Sequence, residues 1–349
     1  MELSETRRTC GGLRGLLDTL WRIHTRDALA VLGVVIATDG STYQKPGALV
    51  LLDATGLRHG VISGGCLEPA LEHAAREVHA SAHAAAVDFD TRGDDDLLFG
   101  SGIGCRGRVH LLLLPLPPQG PLARALFGAL EQGVAVDLAL TTSGADTGAG
   151  IARFAPESIA SPAELRWDAT GRASNAAVAP NLTLRIDPPP RLLLLGAGPE
   201  TPSLTAIAQR MGWFVTAVEH RGRWAAFALA ARVDHLLDLT PEVAATELGD
   251  KHADAIIVMS HNYAIDLAHL RYCADSDAGY IGLLGPSARR DALLGELDTA
   301  TAQRLRARLH APVGLDLGGH GAETIALAIA AELQQYFSTR GSAAVSAAA

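Results

Sequence analysis

Two glycine-rich segments in the first third of the chain each contain a cysteine. The first spans residues 63–69 and reads Ser-Gly-Gly-Cys-Leu-Glu-Pro, and the second spans residues 100–107. Cys66 in the first segment stands between an apolar run and an amphipathic pattern that predicts a helix. The first turn of a helix leaves N–H groups unpaired and carries a partial positive charge, which favours a thiolate and other anions. The two segments therefore predict one shared site for an anionic or thiophilic ligand.

The cysteines and their neighbours are the candidate site of the first half of the chain. Cys66 and Cys105 are the candidate catalytic residues. Arg106 and Arg108, close to the second thiol, could stabilise a thiolate or bind a phosphate. Alternatively, Cys66 is a small buried apolar residue at a tight turn, and Glu68 is only a favourable charge in the first turn of a helix. The candidate ligand-binding residues here are Ser63, Gly64, Gly65, Cys66, Glu68, Cys105 and Arg106.

A second glycine turn, Gly196-Ala197-Gly198, follows an apolar run and precedes a helical pattern. This arrangement begins a dinucleotide fingerprint, in which the glycines let a phosphate approach the helix N-terminus. Thr201 occupies the place of the third glycine, and Glu219 occupies the place of the acidic residue that binds a ribose hydroxyl. The turn therefore predicts a possible NAD(P) site at Gly196 and Gly198, with a turn kept only for packing as the alternative.

His261 follows the predicted strand 255–259, at the edge where open α/β sheets bind ligands. It is a candidate cofactor-binding residue, and otherwise it caps a helix or is solvated. The acidic run 94–96 is a possible metal site, although such a run is usually a solvated loop. Cys10 and Cys273 are predicted to be structural.

Composition excludes several classes of protein. The chain has 349 residues with 29 Lys+Arg against 38 Asp+Glu, and it lacks the basic stretch that a nucleic-acid partner needs. Its four cysteines form neither a disulfide framework nor a zinc pattern. No uninterrupted apolar run approaches the ~18 residues of a membrane span, and residues 1–8 lack a signal core. These features predict a reduced, cytoplasmic protein.

The pattern along the chain predicts two domains and a tail. Residues 1–187 mix helices and strands, and the proline run 187–190 marks a boundary because it cannot join a sheet. Residues 188–338 alternate strands and helices, which predicts a Rossmann-like doubly wound parallel sheet. Residues 339–349 are small and polar and are predicted to be disordered. In the first domain we predict helices at 12–24, 67–79 and 122–130, and strands at 28–38, 48–53, 60–62, 86–89, 108–116, 134–141 and 182–186. In the second we predict strands at 191–195, 214–219, 255–259 and 280–284, and helices at 265–273 and 323–337.

Short motifs occur along most of the chain in the order found in one known family. They lie at residues 39–47, 63–68, 104–107, 196–198, 260–266, 280–285, 312–318 and 323–326. Together they resemble the motifs of the xanthine dehydrogenase accessory proteins, the XdhC/CoxI family, and the segment 63–68 is the most specific. The chain departs from the family pattern at Pro199, at Asn262 and Tyr263, and at Arg106.

The resemblance implies an accessory protein that binds molybdenum cofactor (molybdopterin) and delivers it to a molybdenum hydroxylase such as xanthine or aldehyde dehydrogenase. It also implies a part in replacing an oxo by a sulfido ligand on molybdenum, with a cysteine desulfurase as a partner, and a homodimer. The implied fold is an N-terminal α/β domain followed by a Rossmann-like domain. Cys66 would then be the metal ligand, because a thiolate is a soft ligand.

Three other functions fit parts of the sequence. The first is a nicotinamide-dependent oxidoreductase that uses the turn at Gly196. The second is a cysteine-dependent enzyme with Cys66 as nucleophile and His261 as base, which requires the two side chains to lie within ~4 Å of each other. The third is a purely structural partner protein, in which replacing Cys66 by alanine leaves function intact.

Overall fold

The computed structural model describes residues 10–92, 107–155, 164–248, 253–340 and 345–347. The chain divides into two compact units. The N-terminal unit comprises Gly12–Pro188 and Ser342–Ala349, and the C-terminal unit comprises Met1–Gly11 and Pro189–Gly341. The chain passes from one unit to the other inside the proline run 187–190, where no strand or helix forms.

The first sheet of the N-terminal unit is antiparallel and has the strand order β3-β2-β1-β5-β4. Its long central strands pair along their whole length, from Ala30 opposite Leu116 to Gly40 opposite Gly107. Helix α2 covers one face through a buried aliphatic cluster, as the helical spacing of its apolar residues predicts. The elements are α1 Gly12–His24, β1 Ala30–Gly40, β2 Leu49–Asp53, β3 Gly56–His59, α2 Glu68–Ser81, β4 Ala85–Asp90 and β5 Gly107–Leu116.

The predicted strand 60–62 is wrong, because β3 ends at His59. Strands β2 and β3 form a tight hairpin in which Asp53 pairs with Gly56. Because this connection is short, β3 begins at Gly56, earlier in the chain than predicted, and the chain leaves the sheet at Gly60. Gly60 has φ +83°, and a Cβ there would lie 2.6 Å from the carbonyl oxygen of Leu49. The strand therefore stops where only glycine fits.

The second sheet of the N-terminal unit is antiparallel, with the order β16-β9-β6-β7-β8. Its last strand corrects the prediction of a disordered tail, because Val345–Ala347 pairs with β9 and Thr183 Oγ1 lies 2.6 Å from Ser346 Oγ. Backbone pairing of this kind leaves no signal in a sequence of small residues. The elements are α3 Pro121–Gln132, β6 Ala135–Leu140, β7 Gly150–Ala155, β8 Leu165–Trp167, β9 Leu182–Ile186 and β16 Val345–Ala347.

The C-terminal unit is built on a six-stranded parallel sheet with the order β12-β11-β10-β13-β14-β15, as the alternating pattern predicts. Two buried apolar clusters contain residues of alternate positions along β10, which places one cluster on each face of the sheet. The strands are β10 Arg191–Leu195, β11 Phe214–Val218, β12 His235–Leu237, β13 Ala255–Val258, β14 Tyr280–Leu283 and β15 Leu309–His310. The helices are α4 Thr201–Arg210, α5 Gly222–Ala231, α6 Pro241–Glu247, α7 Tyr263–Asp275, α8 Ser287–Gly295, α9 Thr299–Arg306 and α10 Ala322–Arg340.

Among the described residues, no helix is both long enough and apolar enough to cross a membrane.

Candidate functional site

The loop between β3 and α2 carries Cys66, and a carboxylate holds this loop from behind. Glu68, the first residue of α2, accepts a hydrogen bond from the Ser63 hydroxyl and another from the Ser63 N–H at 3.0 Å. The Ser63 hydroxyl oxygen accepts the N–H groups of Gly65 at 3.2 Å and of Leu67 at 3.0 Å. Because a serine hydroxyl has one proton and two lone pairs, these bonds use its full capacity. Ser63 and Glu68 thereby fix the backbone on both sides of the thiol.

Glu68 stays ionised in this position. Burial raises the pKa of its carboxyl group, but hydrogen bonds from the Ser63 hydroxyl and from backbone N–H groups lower it further, so that the net pKa lies below the ordinary value. Its negative charge lies in the first turn of α2, where it interacts favourably with the helix dipole. Both of the roles predicted for Glu68, a site residue and a first-turn charge, therefore fit its position.

The outer side of the same loop is open. Cys66 is exposed. A Cβ added at Gly64 or Gly65 would meet no atom within 4 Å, so neither glycine is required by crowding within the described structure. Gly65 has φ +116°, a conformation that side chains with a Cβ rarely adopt. The loop thus turns sharply at Gly65 and presents the thiol away from the core.

A pocket of about 320 Å³, part of it open to solvent, lies beside Cys66. Its described lining has no charged side chain and combines hydroxyl groups with aliphatic ones. The hydroxyl-bearing residues of the lining are Ser41, Thr42, Tyr43, Ser63 and Thr91, and the aliphatic ones are Ile62, Leu67 and Val109. Such a lining can satisfy the polar edges of a planar ring while covering its faces.

The first sheet brings these residues together. Strand β1 ends at Gly40, strand β5 begins at Gly107, and these two residues pair with each other. The segment after β1 and the start of β5 therefore share one rim of the sheet. Thr91, just after β4, donates its hydroxyl to the Gly107 carbonyl oxygen at 2.8 Å and accepts the Gly107 N–H at 3.2 Å. A Cβ at Gly107 would lie 2.4 Å from the Ser41 carbonyl oxygen, so the close approach of the two segments requires glycine.

Arginines near this rim are paired with aspartates. Arg92 binds Asp39 at 2.5 Å and Asp90 at 2.7 Å. Arg108, predicted to stabilise a thiolate or bind a phosphate, donates from Nε to Asp88 at 2.7 Å. Both cations are therefore already neutralised by partners on β1 and β4.

Cys105 and Arg106 lie outside the described residues, as does the acidic run 94–96. The residue that follows them in the chain, Gly107, lines the pocket. Among the described residues, no group of three or more His, Cys, Asp or Glu side chains could hold a metal ion.

In the C-terminal unit, Gly196 and Gly198 form a turn between β10 and α4, as predicted. Glu219 stands just after β11, and Arg221 binds its carboxylate through Nε at 2.8 Å and Nη2 at 2.6 Å. Arg221 also donates to the carbonyl oxygen of Ser260 at 2.8 Å. Arg221, whose guanidinium could otherwise contact a phosphate, therefore binds the chain's own carboxylate.

His261 lies at the carboxyl edge of the parallel sheet, as predicted, in a backbone conformation with φ +58° that is rare outside glycine. Its Nε2 lies 3.2 Å from Oε2 of the buried Glu200, and its ring stacks on Trp224 with centroids 5.5 Å apart. The helix cap at this place is Asn262, whose side chain accepts the Ile265 N–H. His261 is thus held by side chains and is not the cap.

Sequence reasoning missed a buried ion pair beside this histidine. Asp266, only 1% exposed, accepts the Ser260 hydroxyl at 2.5 Å and Arg289 Nη2 at 2.6 Å. A signal was present, because an aspartate within a helix that lies against a buried sheet needs a partner. On the same helix His269 is buried with no partner for Nδ1 in the described structure, and burial lowers its pKa to about 4.

The two other described cysteines belong to the C-terminal unit. Cys10 and Cys273 are buried, and burial raises the pKa of the Cys273 thiol. Both positions suit the structural role predicted for them.

Two family models match the chain. The model described as the XdhC Rossmann domain matches residues 192–333, and the model described as the XdhC and CoxI family matches residues 24–90. The two matched segments fall in the C-terminal and N-terminal units respectively, and together they span more than half of the chain.

Curated relatives and a solved structure match almost the whole chain. A protein of Bacillus subtilis (strain 168), named as a probable subunit of xanthine dehydrogenase, is 29% identical over 93% of this chain and 97% of its own length. The molybdenum cofactor insertion chaperone PaoD of Escherichia coli (strain K12) is 23% identical over 87% of this chain and 82% of its own. A crystal structure described as a xanthine dehydrogenase from Bacillus halodurans matches with a TM-score of 0.76 and 26% identity, and it covers 95% of this chain and 98% of that one.

Proposed function

The chain belongs to the XdhC and CoxI family, and we propose from this that it is a chaperone that binds molybdenum cofactor and helps to mature a molybdenum hydroxylase. One relative carries the name of a molybdenum cofactor insertion chaperone, and another is named as part of a xanthine dehydrogenase. Here the cofactor is a cargo that the protein takes up and passes on. The client hydroxylase, a cysteine desulfurase partner and a homodimer are parts of the same proposal.

The observation that carries the proposal is the exposed thiol of Cys66 at the mouth of a pocket. A thiolate is a soft ligand that suits molybdenum. The clamp formed by Ser63 and Glu68 holds the thiol in place before any cargo arrives, which reduces the conformational entropy lost on binding. Because the loop is open on its outer side, the cargo can leave again towards a client.

The pocket lining fits the ring system of a pterin. The Ser41 hydroxyl can meet a polar edge of such a ring, and so can the Thr42 hydroxyl oxygen, whose proton is donated to the Gln44 carbonyl oxygen. Ile62 and Val109 offer apolar surface to the faces of the ring. The described lining contains no cation for a phosphate, and the nearby Arg92 and Arg108 are paired with aspartates. We therefore propose that the described pocket receives the metal and ring end of the cargo.

The test is the molybdenum and pterin content of protein purified anaerobically from a host that makes the cofactor. We expect about one cofactor per chain or per dimer in the wild type and a loss of at least about tenfold in Cys66→Ala, because a metal ligand is removed. The matched control is Cys10→Ala, which removes a buried thiol of the C-terminal unit and is expected to retain the cofactor. Activation of a cofactor-free hydroxylase should follow the same order.

Equal cofactor content in wild type and Cys66→Ala would place the cargo elsewhere. A wild type that carries no cofactor and activates no client would contradict the chaperone function itself.

A further inference from the structure

We propose that the dinucleotide cleft of the C-terminal unit is filled by the chain's own side chains, so that the turn at Gly196 and Gly198 does not bind a nicotinamide dinucleotide. The Rossmann fold implies such a cofactor, and the fingerprint is present as far as its second glycine. Three requirements of the site can be compared with the structure: free N–H donors, free space in front of the turn, and a charge that attracts phosphate. This inference concerns the other unit and does not depend on the proposed cofactor cargo.

The N–H donors of the turn are all used within the chain. Gly196 donates to the Val218 carbonyl oxygen at 2.9 Å, as in an ordinary continuation of the sheet. Ala197 donates to Glu219 Oε2 at 3.2 Å, and Gly198 donates to Thr201 Oγ1 at 2.9 Å. The next residue is a proline, which has no N–H to donate. A pyrophosphate at this turn would have to break the bonds of Ala197 and Gly198.

The space in front of the second glycine is also taken. In a dinucleotide site the missing Cβ lets the pyrophosphate approach the backbone. Here a Cβ at Gly198 would lie 2.5 Å from His261 Nε2 and 2.9 Å from Glu200 Oε2. The glycine therefore makes room for the chain's own imidazole and carboxylate. Stacking on Trp224 keeps that imidazole where it is.

The charge of the site opposes a phosphate. Burial raises the pKa of Glu200 and of Glu219, but hydrogen bonds from His261 to the first and from Arg221 to the second lower it further. Both carboxylates are therefore ionised at neutral pH. Glu200 stands at the N-terminus of α4, the position at which a bound phosphate would interact with the helix dipole. The chain thus supplies its own anion at the anion site.

The ribose position is occupied in the same way. The carboxylate of Glu219, which would bind the ribose hydroxyls, is bound through two nitrogens of Arg221 and also accepts the Arg221 N–H at 2.9 Å. Arg221 ties this loop to the next one through the Ser260 carbonyl oxygen. The Glu200 carboxylate and the His261 imidazole thereby occupy the space of the pyrophosphate, and the Arg221 guanidinium occupies the carboxylate that would bind the ribose.

Titration with NADH, NADPH and ADP tests the inference on the intact protein. We expect no saturable binding up to about 1 mM, the limit of weak specific binding. A dissociation constant below that value in the wild type would overturn the proposal, and most clearly if Arg221→Ala weakened it.

Amide hydrogen exchange gives a second, independent reading without any ligand. We expect Ala197 and Gly198 to be protected in the wild type, because each donates to a side chain. Glu219→Ala should accelerate exchange about tenfold at Ala197 and leave Gly198 protected, because one hydrogen bond is worth about that factor. Thr201→Val, which keeps the shape of the side chain, should accelerate exchange at Gly198 and leave Ala197 protected.

The control is Arg223→Ala, since Arg223 also lies near the Trp224 ring but on an exposed position. This variant should leave the exchange rates of the Ala197 and Gly198 amides unchanged. Unprotected amides at Ala197 and Gly198 in the wild type would overturn the proposal, and this measurement requires no variant to fold.

Discussion

Replacing Glu68 by glutamine tests whether the clamp behind Cys66 positions the thiol loop. Glutamine has the same size and keeps one oxygen for the Ser63 N–H, but it places an NH₂ group opposite the proton of the Ser63 hydroxyl. That hydroxyl already accepts two N–H groups, from Gly65 and Leu67. It therefore cannot accept a third donor without giving up one of them.

The size of the effect follows from these contacts. A hydrogen bond to a charged group is worth about 1.5–3 kcal/mol, and since Glu68 is part-exposed, solvent offsets some of this and about 1–2 kcal/mol remains. Because about 1.4 kcal/mol corresponds to a factor of ten, we expect amide exchange at Ser63 and Leu67 to accelerate by roughly 5- to 30-fold in Glu68→Gln.

The same clamp should weaken in acid. The folded pKa of Glu68 lies below its ordinary value of 4.5. The stabilisation of the loop by ionised Glu68 is therefore complete above about pH 4.5 and is lost as the pH falls through the folded pKa. We expect the protection factor of the Ser63 amide, which is corrected for the intrinsic pH dependence of exchange, to fall in this acidic window in the wild type and to stay constant there in Glu68→Gln.

The assay is amide exchange followed by NMR or mass spectrometry, alongside the cofactor content. The control is Glu77→Gln on the same helix, whose side chain is 71% exposed and pairs with the equally exposed His73. If Glu68→Gln lost the cofactor while exchange at Ser63 and Leu67 stayed at the wild-type rate, Glu68 would contact the cargo directly, and the clamp would not be its role.

Three further substitutions have defined outcomes. Gly65→Ala should destabilise the folded loop by about 1 kcal/mol, because alanine rarely adopts a φ of +116°. Gly64→Ala should leave the stability of the loop unchanged, because the added Cβ meets no atom within 4 Å, and amide exchange in the loop measures both effects. Gly198→Ala should push the neighbouring imidazole away and cost about 1–3 kcal/mol; a lower melting temperature and a shifted histidine ¹⁵N signal would show it. Arg289→Met should leave Asp266 as an unpaired buried charge and lower the melting temperature by roughly 5 °C or more, and an unchanged melting curve would contradict the assigned ion pair.

Much of the fold follows from local patterns in the sequence. The predicted bounds of strand β10 and helix α1 are those that the structure has, because each is a single uninterrupted run with clear ends. Strands β12 and β15 are not predictable in this way, since three and two residues are too few to show a period. The pattern at β16 predicts disorder, because the stability of this strand comes from pairing with β9, which is distant in the sequence.

The candidate site is likewise predictable from the sequence in part. Spacing alone places Cys66 between glycines and a helix N-terminus, and alternation of strands and helices places the turn at Gly196 at the edge of a parallel sheet. The sequence could not show that Ser63 and Glu68 close the loop through a shared hydroxyl, or that Arg92 and Arg108 are neutralised by aspartates on neighbouring strands. Those pairings depend on which strands lie side by side.

The sequence by itself therefore determined the family, the parallel sheet of the C-terminal unit and the place of Cys66 between two glycines and a helix N-terminus, because these depend on residues that are close together along the chain. Only the tertiary structure decided what the second glycine turn holds. Gly198, Glu219 and His261 lie in three different loops that follow strands of the sheet. Only folding brings these loops together, so that the His261 ring lies against Gly198 and the Glu219 carboxylate accepts the Ala197 N–H. A glycine that leaves room for a phosphate and a glycine that leaves room for a histidine are identical in sequence, and they differ only in what the fold places in front of them.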